Sequence, residues 1–127
     1  MGIPKILVVD DERAVLTLLS RILEGEGFRV HGVSSYEEAL DQIANNAFAA
    51  ILSDLFIGAR SGIDLLRHMN VQGGSTPVIL VTGAPTLNSA MEAIRLGAYD
   101  YLLKPVVKED LLVAVRRAVE VYHLRRT

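Results

Sequence analysis

Five side chains in this sequence could do chemistry together. Asp10 and Asp11 stand side by side after the apolar run KILVV, Asp54 closes AAILSD, Thr82 closes VILVT, and Lys104 closes YDYLLK. Two like charges about 4 Å apart cost about 4 kcal/mol at an effective dielectric near 20. A set of three carboxylates must therefore bind protons or a cation. Oxygen donors without cysteine or histidine suit a hard divalent ion such as Mg²⁺, which keeps several waters and takes one or two carboxylates plus a phosphate oxygen. Asp54, alone at the end of its run, could attack phosphorus to give an acyl phosphate. Lys104, the Thr82 hydroxyl and the N–H groups of the 82–84 turn would then take up oxygen charge. Each residue also has a plain structural reading. Asp and Thr cap helices, a lysine at a strand end is solvated, and an acidic pair can open a helix. It is their joint arrival at strand ends that favours the chemical reading.

The elements that must position these residues can be read from hydrophobic period. Residues 5–9 form a wholly apolar, β-branched run, as in a parallel strand covered on both faces. Residues 13–23 then repeat apolar positions at helical spacing until GEG at 25–27 stops them. A second strand at 28–33 is interrupted by His31 and Gly32, which places it at a sheet edge. Ser34 or Ser35 caps a helix reaching about Asn45, with Glu37 and Glu38 in its first turn. Strand 49–54 leads through the loop LFIGARSG to a helix over about 63–69, and strand 78–82 leads to a helix over 86–96 stopped by Gly97. A last strand ending at Lys104 precedes a helix over 108 to about 124, with Leu111, Leu112, Val115 and Val119 on its buried face. Five strand–helix units predict right-handed crossovers and a parallel sheet with helices on both sides. Such sheets bind ligands beyond the carboxyl ends of their strands, where these five side chains fall.

Composition narrows the classes. A chain of 127 residues, half of them hydrophobic, fits a single domain, 1–127, with a core over about 4–121. No apolar run nears the roughly 18 residues that span a bilayer, and the first five residues are too short for a signal peptide, so the expected location is cytoplasmic, without membrane contact. Without cysteine there is neither a disulfide nor a thiolate zinc site, and His31, His68 and His123 are too scattered for a metal set. A net charge of −2 supplies no basic excess for direct nucleic-acid binding.

The segments ILVVDDE, ILSDLFIGARSG, VILVTGA and GAYDYLLKP, in this order and spacing, resemble the receiver domain of two-component response regulators. The likeness covers essentially the whole chain. It implies a flavodoxin-like (βα)5 sandwich, α/β, with a five-stranded sheet of order 2-1-3-4-5. It makes Asp54 the phosphoacceptor, served by a sensor histidine kinase, a phosphotransfer protein or a small phosphodonor. Asp10, Asp11 and Asp54, with the main-chain carbonyl of Phe56, would hold Mg²⁺ or its substitute Mn²⁺, Asp11 being favoured over Asp10 as the direct ligand. Thr82 would be the switching hydroxyl, Tyr101 the aromatic that moves inward with it, Lys104 the amine that pairs with phosphate, and Lys104–Pro105 a cis peptide. Tyr101 has an equal alternative as a half-buried strand aromatic.

Further expectations follow from the same likeness. The output surface is the fourth helix, fifth strand and fifth helix, near Ala90, Ile94 and Val106, and a homodimer could form there. The protein would be a switch and not an enzyme, catalysing only its own phosphoryl transfer and a slow dephosphorylation. That slowness is expected because Phe56 and Ala84 stand where side chains of the family orient the attacking water. Residues 122–127 begin a connector to an effector domain in cis, form one side of a dimer, or are a free helix end. Two departures stand out. The family's usual Met-Pro in the loop after the phosphoacceptor is here Ile57-Gly58, which removes the proline's rigidity, and Pro85 restricts Ala84.

Competing readings are weaker. A haloacid-dehalogenase type phosphatase wants a second Asp where Phe56 stands, and a flavin module wants a Ser/Thr/Gly-rich loop where DDER stands. A receiver-like interaction module that works without phosphorylation is the remaining alternative.

Overall fold

Alternation of side chains along the central strands builds the two cores of this protein. In the computed structural model, which describes residues 2–126, Ile6, Val8, Ala50, Leu52, Ile79 and Val81 face one side of the sheet. Leu7, Val9, Ile51, Val78 and Leu80 face the other. Strands this apolar on both faces are stable only when helices cover both. The elements run β1 (Lys5–Val9), α1 (Arg13–Gly25), β2 (Arg29–Val33), α2 (Tyr36–Asn45), β3 (Ala50–Asp54), β4 (Phe56–Ile57), β5 (Arg60–Ser61), α3 (Gly62–Gln72), β6 (Val78–Thr82), α4 (Leu87–Arg95), β7 (Asp100–Leu103) and α5 (Lys108–Arg125).

Strands β2-β1-β3-β6-β7 form one parallel sheet in that order, the flavodoxin-like 2-1-3-4-5 arrangement, with β2 at an edge as its broken apolar run implied. On one face, α1 and α5 deliver Leu19, Leu23, Leu111, Val115 and Ala118 to the core. On the other, α2, α3 and α4 deliver Ala39, Leu65, Leu66 and Ala93. Among the described residues no helix is long and apolar enough to cross a membrane. The segment expected to start a connector is helical through Arg125, and Thr127 lies outside the described residues.

The segment expected to be a plain loop after β3 is a small antiparallel hairpin. Phe56 pairs with Ser61 and Ile57 with Arg60, leaving Gly58-Ala59 as a two-residue turn. Gly58 has φ +59° and no residue other than glycine has a positive φ among those described, so only the first central position is left-handed. That is the type II′ pattern, which matches strand twist and calls for glycine there. Proline, with φ fixed near −65°, cannot occupy that position in this turn. The hairpin ends at Ser61, which caps α3 by accepting from the Ile63 N–H at 3.0 Å while the Asp64 carboxylate accepts from the Ser61 N–H at 3.0 Å. This early cap starts α3 at Gly62, and the helix runs three residues past Met69 to Gln72, where the expected helix ended short.

Gly62 is where this helix presses on the sheet. A Cβ there would stand 2.6 Å from the Asp54 carbonyl oxygen and 2.9 Å from Leu80 Cδ2. Gly62→Ala must therefore push α3 away from β3, and a loss of about 2 kcal/mol is expected from chemical denaturation. Gly25→Ala, where a Cβ meets nothing within 4 Å, should change stability by less than about 0.5 kcal/mol and serves as the control.

Candidate functional site

Parallel register carries the polar residues to one rim. Asp54 lies opposite Val81 in the ladder, Thr82 opposite Leu103, and the Asp10 N–H donates to the Val33 carbonyl just past β1. Lys104 follows β7, its N–H donating to the Thr82 carbonyl at 2.8 Å, and the Lys104–Pro105 peptide is cis.

The Lys104 ammonium stands at the centre. Its Nζ lies 3.0 Å from Asp10 Oδ2, 3.2 Å from Glu12 Oε1 and 3.1 Å from Asp54 Oδ2. The contacts to Glu12 and Asp54 are aligned hydrogen bonds. The contact to Asp10 is a close ion pair that lacks hydrogen-bond alignment, so Asp10 Oδ2 is a buried oxygen with no hydrogen-bond partner. Burial pushes the Asp10 carboxyl above the usual carboxylate range, with the Asp54 charge adding to it, while the Glu12 N–H at 2.8 Å and Lys104 pull the other way. Burial also weakens the Lys104 ammonium, but Asp10 and Asp54 outweigh it and hold its pKa above the ordinary lysine range.

One oxygen from each of Asp10, Glu12 and Asp54 lies within 4.8 Å of the others. A buried, incompletely satisfied carboxylate oxygen within an all-oxygen cluster fits a hard divalent cation, and neither sulfur nor imidazole belongs to the group. Glu12 was absent from the sequence-based set. It is the N-cap residue of α1 and makes no side-chain cap, so its carboxylate is free to face Lys104. The third acid in DDE was the available signal.

Asp11 is placed elsewhere. Its Oδ2 accepts from the Gly58 N–H at 3.0 Å, at the tip of the β4–β5 hairpin, and it lies outside the group of three. Asp54 Oδ1 accepts from the Phe56 N–H at 3.2 Å, while the Phe56 side chain is exposed. Thr82 is buried, and its hydroxyl oxygen accepts from the Ala84 N–H at 3.0 Å. Tyr101 is half-buried, with its hydroxyl 2.9 Å from Ser89 Oγ. Ser89 is also the partner of Thr86 in the capping box that starts α4.

A sequence profile of the response regulator receiver domain matches residues 6–116 of this chain. The chain belongs to the response regulator receiver family. Among solved structures, this receiver is similar to a CheY-like receiver domain protein from Methanospirillum hungatei JF-1, with a TM-score of 0.92 and 30% identity over 98% of this chain and 99% of that one. It is also similar to the beryllofluoride-activated NtrC4 receiver domain dimer, with a TM-score of 0.87 and 32% identity over 93% and 98% of the two chains. Among curated proteins, it is 36% identical to the alginate biosynthesis transcriptional regulatory protein AlgB of Pseudomonas aeruginosa over 94% of this chain. The receiver spans only 27% of that relative's length. Receivers of this family are switches of two-component signalling, and the cluster of Asp10, Glu12 and Asp54 fits a receiver-domain metal site.

Removing the central cation tests the electrostatics of the receiver directly. Lys104→Met leaves the cluster without its ammonium and should lower stability by about 2 kcal/mol near pH 7 without added metal. In the variant the Asp10 carboxyl, already raised by burial, loses the ammonium that opposed the shift and rises further above the usual carboxylate range. The deficit is then present above that range and shrinks as pH falls and the acids protonate, so urea denaturation near pH 5 should show a smaller difference. In the parent protein a raised lysine pKa stabilises the fold below the unfolded lysine value and is lost as pH rises through the folded one. The variant should lack that alkaline loss.

Proposed function

We propose that this receiver is the phosphorylation-activated switch of a two-component system, with Asp54 as its phosphoacceptor. The observation that carries the reading is the Lys104 ammonium, 3.1 Å from an Asp54 carboxylate oxygen and shared with Asp10 and Glu12. An Asp54 carboxylate oxygen attacks the phosphorus of a kinase or phosphotransfer-protein phosphohistidine. A P–O bond forms as the P–N bond breaks, and the departing imidazole nitrogen takes up a proton. Lys104 shifts from the free carboxylate toward the new phosphoryl oxygens, and the Thr82 hydroxyl gives up its local turn contact to donate to another. Asp10, Asp11, Asp54 and the Phe56 carbonyl are the groups that would hold Mg²⁺, which when bound neutralises charge between the carboxylates and the incoming phosphoryl group. On this reading the protein turns over no external substrate and works in the cytoplasm.

Two features support an output through α4, β7 and α5. Leu87, Met91 and Ile94 form an exposed apolar stripe at i, i+4 and i+7 on α4, and Leu103 of β7 is exposed as well. Inward movement of Tyr101 after Thr82 breaks its contact with Ser89 and so reaches the start of α4. A homodimer is supported by the dimeric state of the activated NtrC4 receiver, with the exposed apolar stripe of α4 as the face it would use, and an effector domain in cis by the greater length of AlgB.

Incubation with Mg²⁺ and acetyl phosphate or phosphoramidate should add one phosphoryl group, read as intact mass. The gain should be absent in Asp54→Ala and after chelation. Phosphorylation of Asp54→Ala would overturn the assignment. Phe56 and Ala84 offer no hydrogen-bonding side chain to an attacking water, so the phosphorylated form should be long-lived. Phe56→Asn combined with Ala84→Glu should shorten its lifetime several-fold, and an unchanged decay would count against this role.

A further inference from the structure

Glu12 puts a negative charge at the mouth of the site, and that charge bears on which phosphodonor the site can use. Its main chain is fixed, because the Glu12 N–H donates to Asp10 Oδ1 at 2.8 Å. As the N-cap residue of α1 it makes no side-chain cap, and its side chain is 64% exposed where that of Asp54 is 8% exposed. One oxygen of each lies within 4.8 Å of the other. The two acids therefore stand outside and inside the same entrance. Glu12 and Lys104 are the charged groups lining an adjoining cavity of about 360 Å³, whose other walls are Val15, Leu18, Leu19, Pro105 and Val106. An apolar wall concentrates the field of a charge at its edge.

In-line displacement turns this placement into a selection rule. The atom that leaves phosphorus lies on the side away from the attacking Asp54 oxygen. Asp54 is buried, so that side faces outward, toward Glu12. The charge found there depends on the class of donor. In an acyl phosphate the P–O bond breaks, the electron pair stays on oxygen, and a carboxylate anion departs past Glu12. In a P–N donor with a protonated nitrogen the P–N bond breaks, the electron pair returns to nitrogen, and a neutral amine or imidazole departs from what had been a cation. The Glu12 carboxylate repels the first and attracts the second. Lys104 need not move for this, since an ionised carboxylate accepts up to about four hydrogen bonds and Glu12 Oε1 is the oxygen that takes Lys104.

We propose that Glu12 is a specificity-determining residue that biases this receiver toward donors with a P–N bond, phosphohistidine and phosphoramidate among them, and against acyl phosphates. This rests on Asp54 being the phosphoacceptor. A pool of small acyl phosphates then charges the receiver less readily than a phosphohistidine does, and the switch stays answerable to its protein donor.

Two substitutions separate charge from shape. Glu12→Gln removes the charge and keeps the shape, and Glu12→Asp keeps the charge on a shorter stem. Mg²⁺ is titrated in each protein first, so that rates are compared at saturation. Phosphorylation is then followed as intact mass with acetyl phosphate, a dianion near neutral pH, and with phosphoramidate, whose nitrogen is protonated there. Differences in leaving-group chemistry cancel when the ratio of the two kcat/KM values in a variant is divided by the same ratio in wild type. In Glu12→Gln the ratio of acetyl phosphate to phosphoramidate should rise about two- to fivefold, as removal of one exposed charge allows, and the rise should shrink as salt is added. In Glu12→Asp the ratio should stay nearer to wild type. A ratio that is unchanged in Glu12→Gln, whether both rates move together or neither moves, overturns the proposal and leaves the phosphoacceptor reading intact, and so does a ratio that falls. Failure of both donors to phosphorylate wild-type Asp54 with Mg²⁺ bound overturns that reading and the proposal with it.

Discussion

Everything at the rim of this molecule depends on one ammonium group shared among carboxylates. Without Lys104, Asp10 and Asp54 would face each other across the ends of neighbouring strands with burial working against both charges. With it, three acids converge and the sheet can end in a concentrated negative site. The arrangement is sound but incomplete, since the Asp10 oxygen nearest the lysine still lacks an aligned donor.

The rest of the fold serves to hold that group still. Two cores, one on each face, fix β1, β3 and β6 in register, and the register sets which residues reach the rim. A close approach of Gly62, where a Cβ would meet the Asp54 carbonyl, brings α3 up behind Asp54. Ser61 starts that helix on time, and the β4–β5 hairpin before it brings Phe56 and Gly58 back over the acids.

Most of this was legible in the sequence because the central strands are apolar on both faces and each ends on a polar residue. β1 and β6 stood out by uniform apolarity, β2 as an edge by His31 and Gly32, and the strand ends then selected Asp10, Asp54, Thr82 and Lys104. What escaped notice had no period to betray it. The hairpin strands are two residues each, too short for alternation, and only Gly58-Ala59 as a two-residue turn hinted at them. By type and position Glu12 is indistinguishable from an ordinary acid at a helix start. Its role depends on α1 starting at Arg13, which leaves its side chain beside Lys104 and not over the helix N–H groups. The partner of Asp11 depends on a contact 47 residues away, which local patterns do not encode.

Ser89 sits in two hydrogen-bonded systems at once: it closes the cap of α4 and meets the Tyr101 hydroxyl of β7. A shared residue makes coupling run both ways, because a free-energy difference between two states is the same whichever end imposes it. On the proposed reading, a partner gripping the first turn of α4 so that Ser89 keeps Tyr101 outward would disfavour phosphorylation at a distance, and one that prises them apart would favour it. If that surface announces the state of the site, it is for the same reason a surface from which the site can be set.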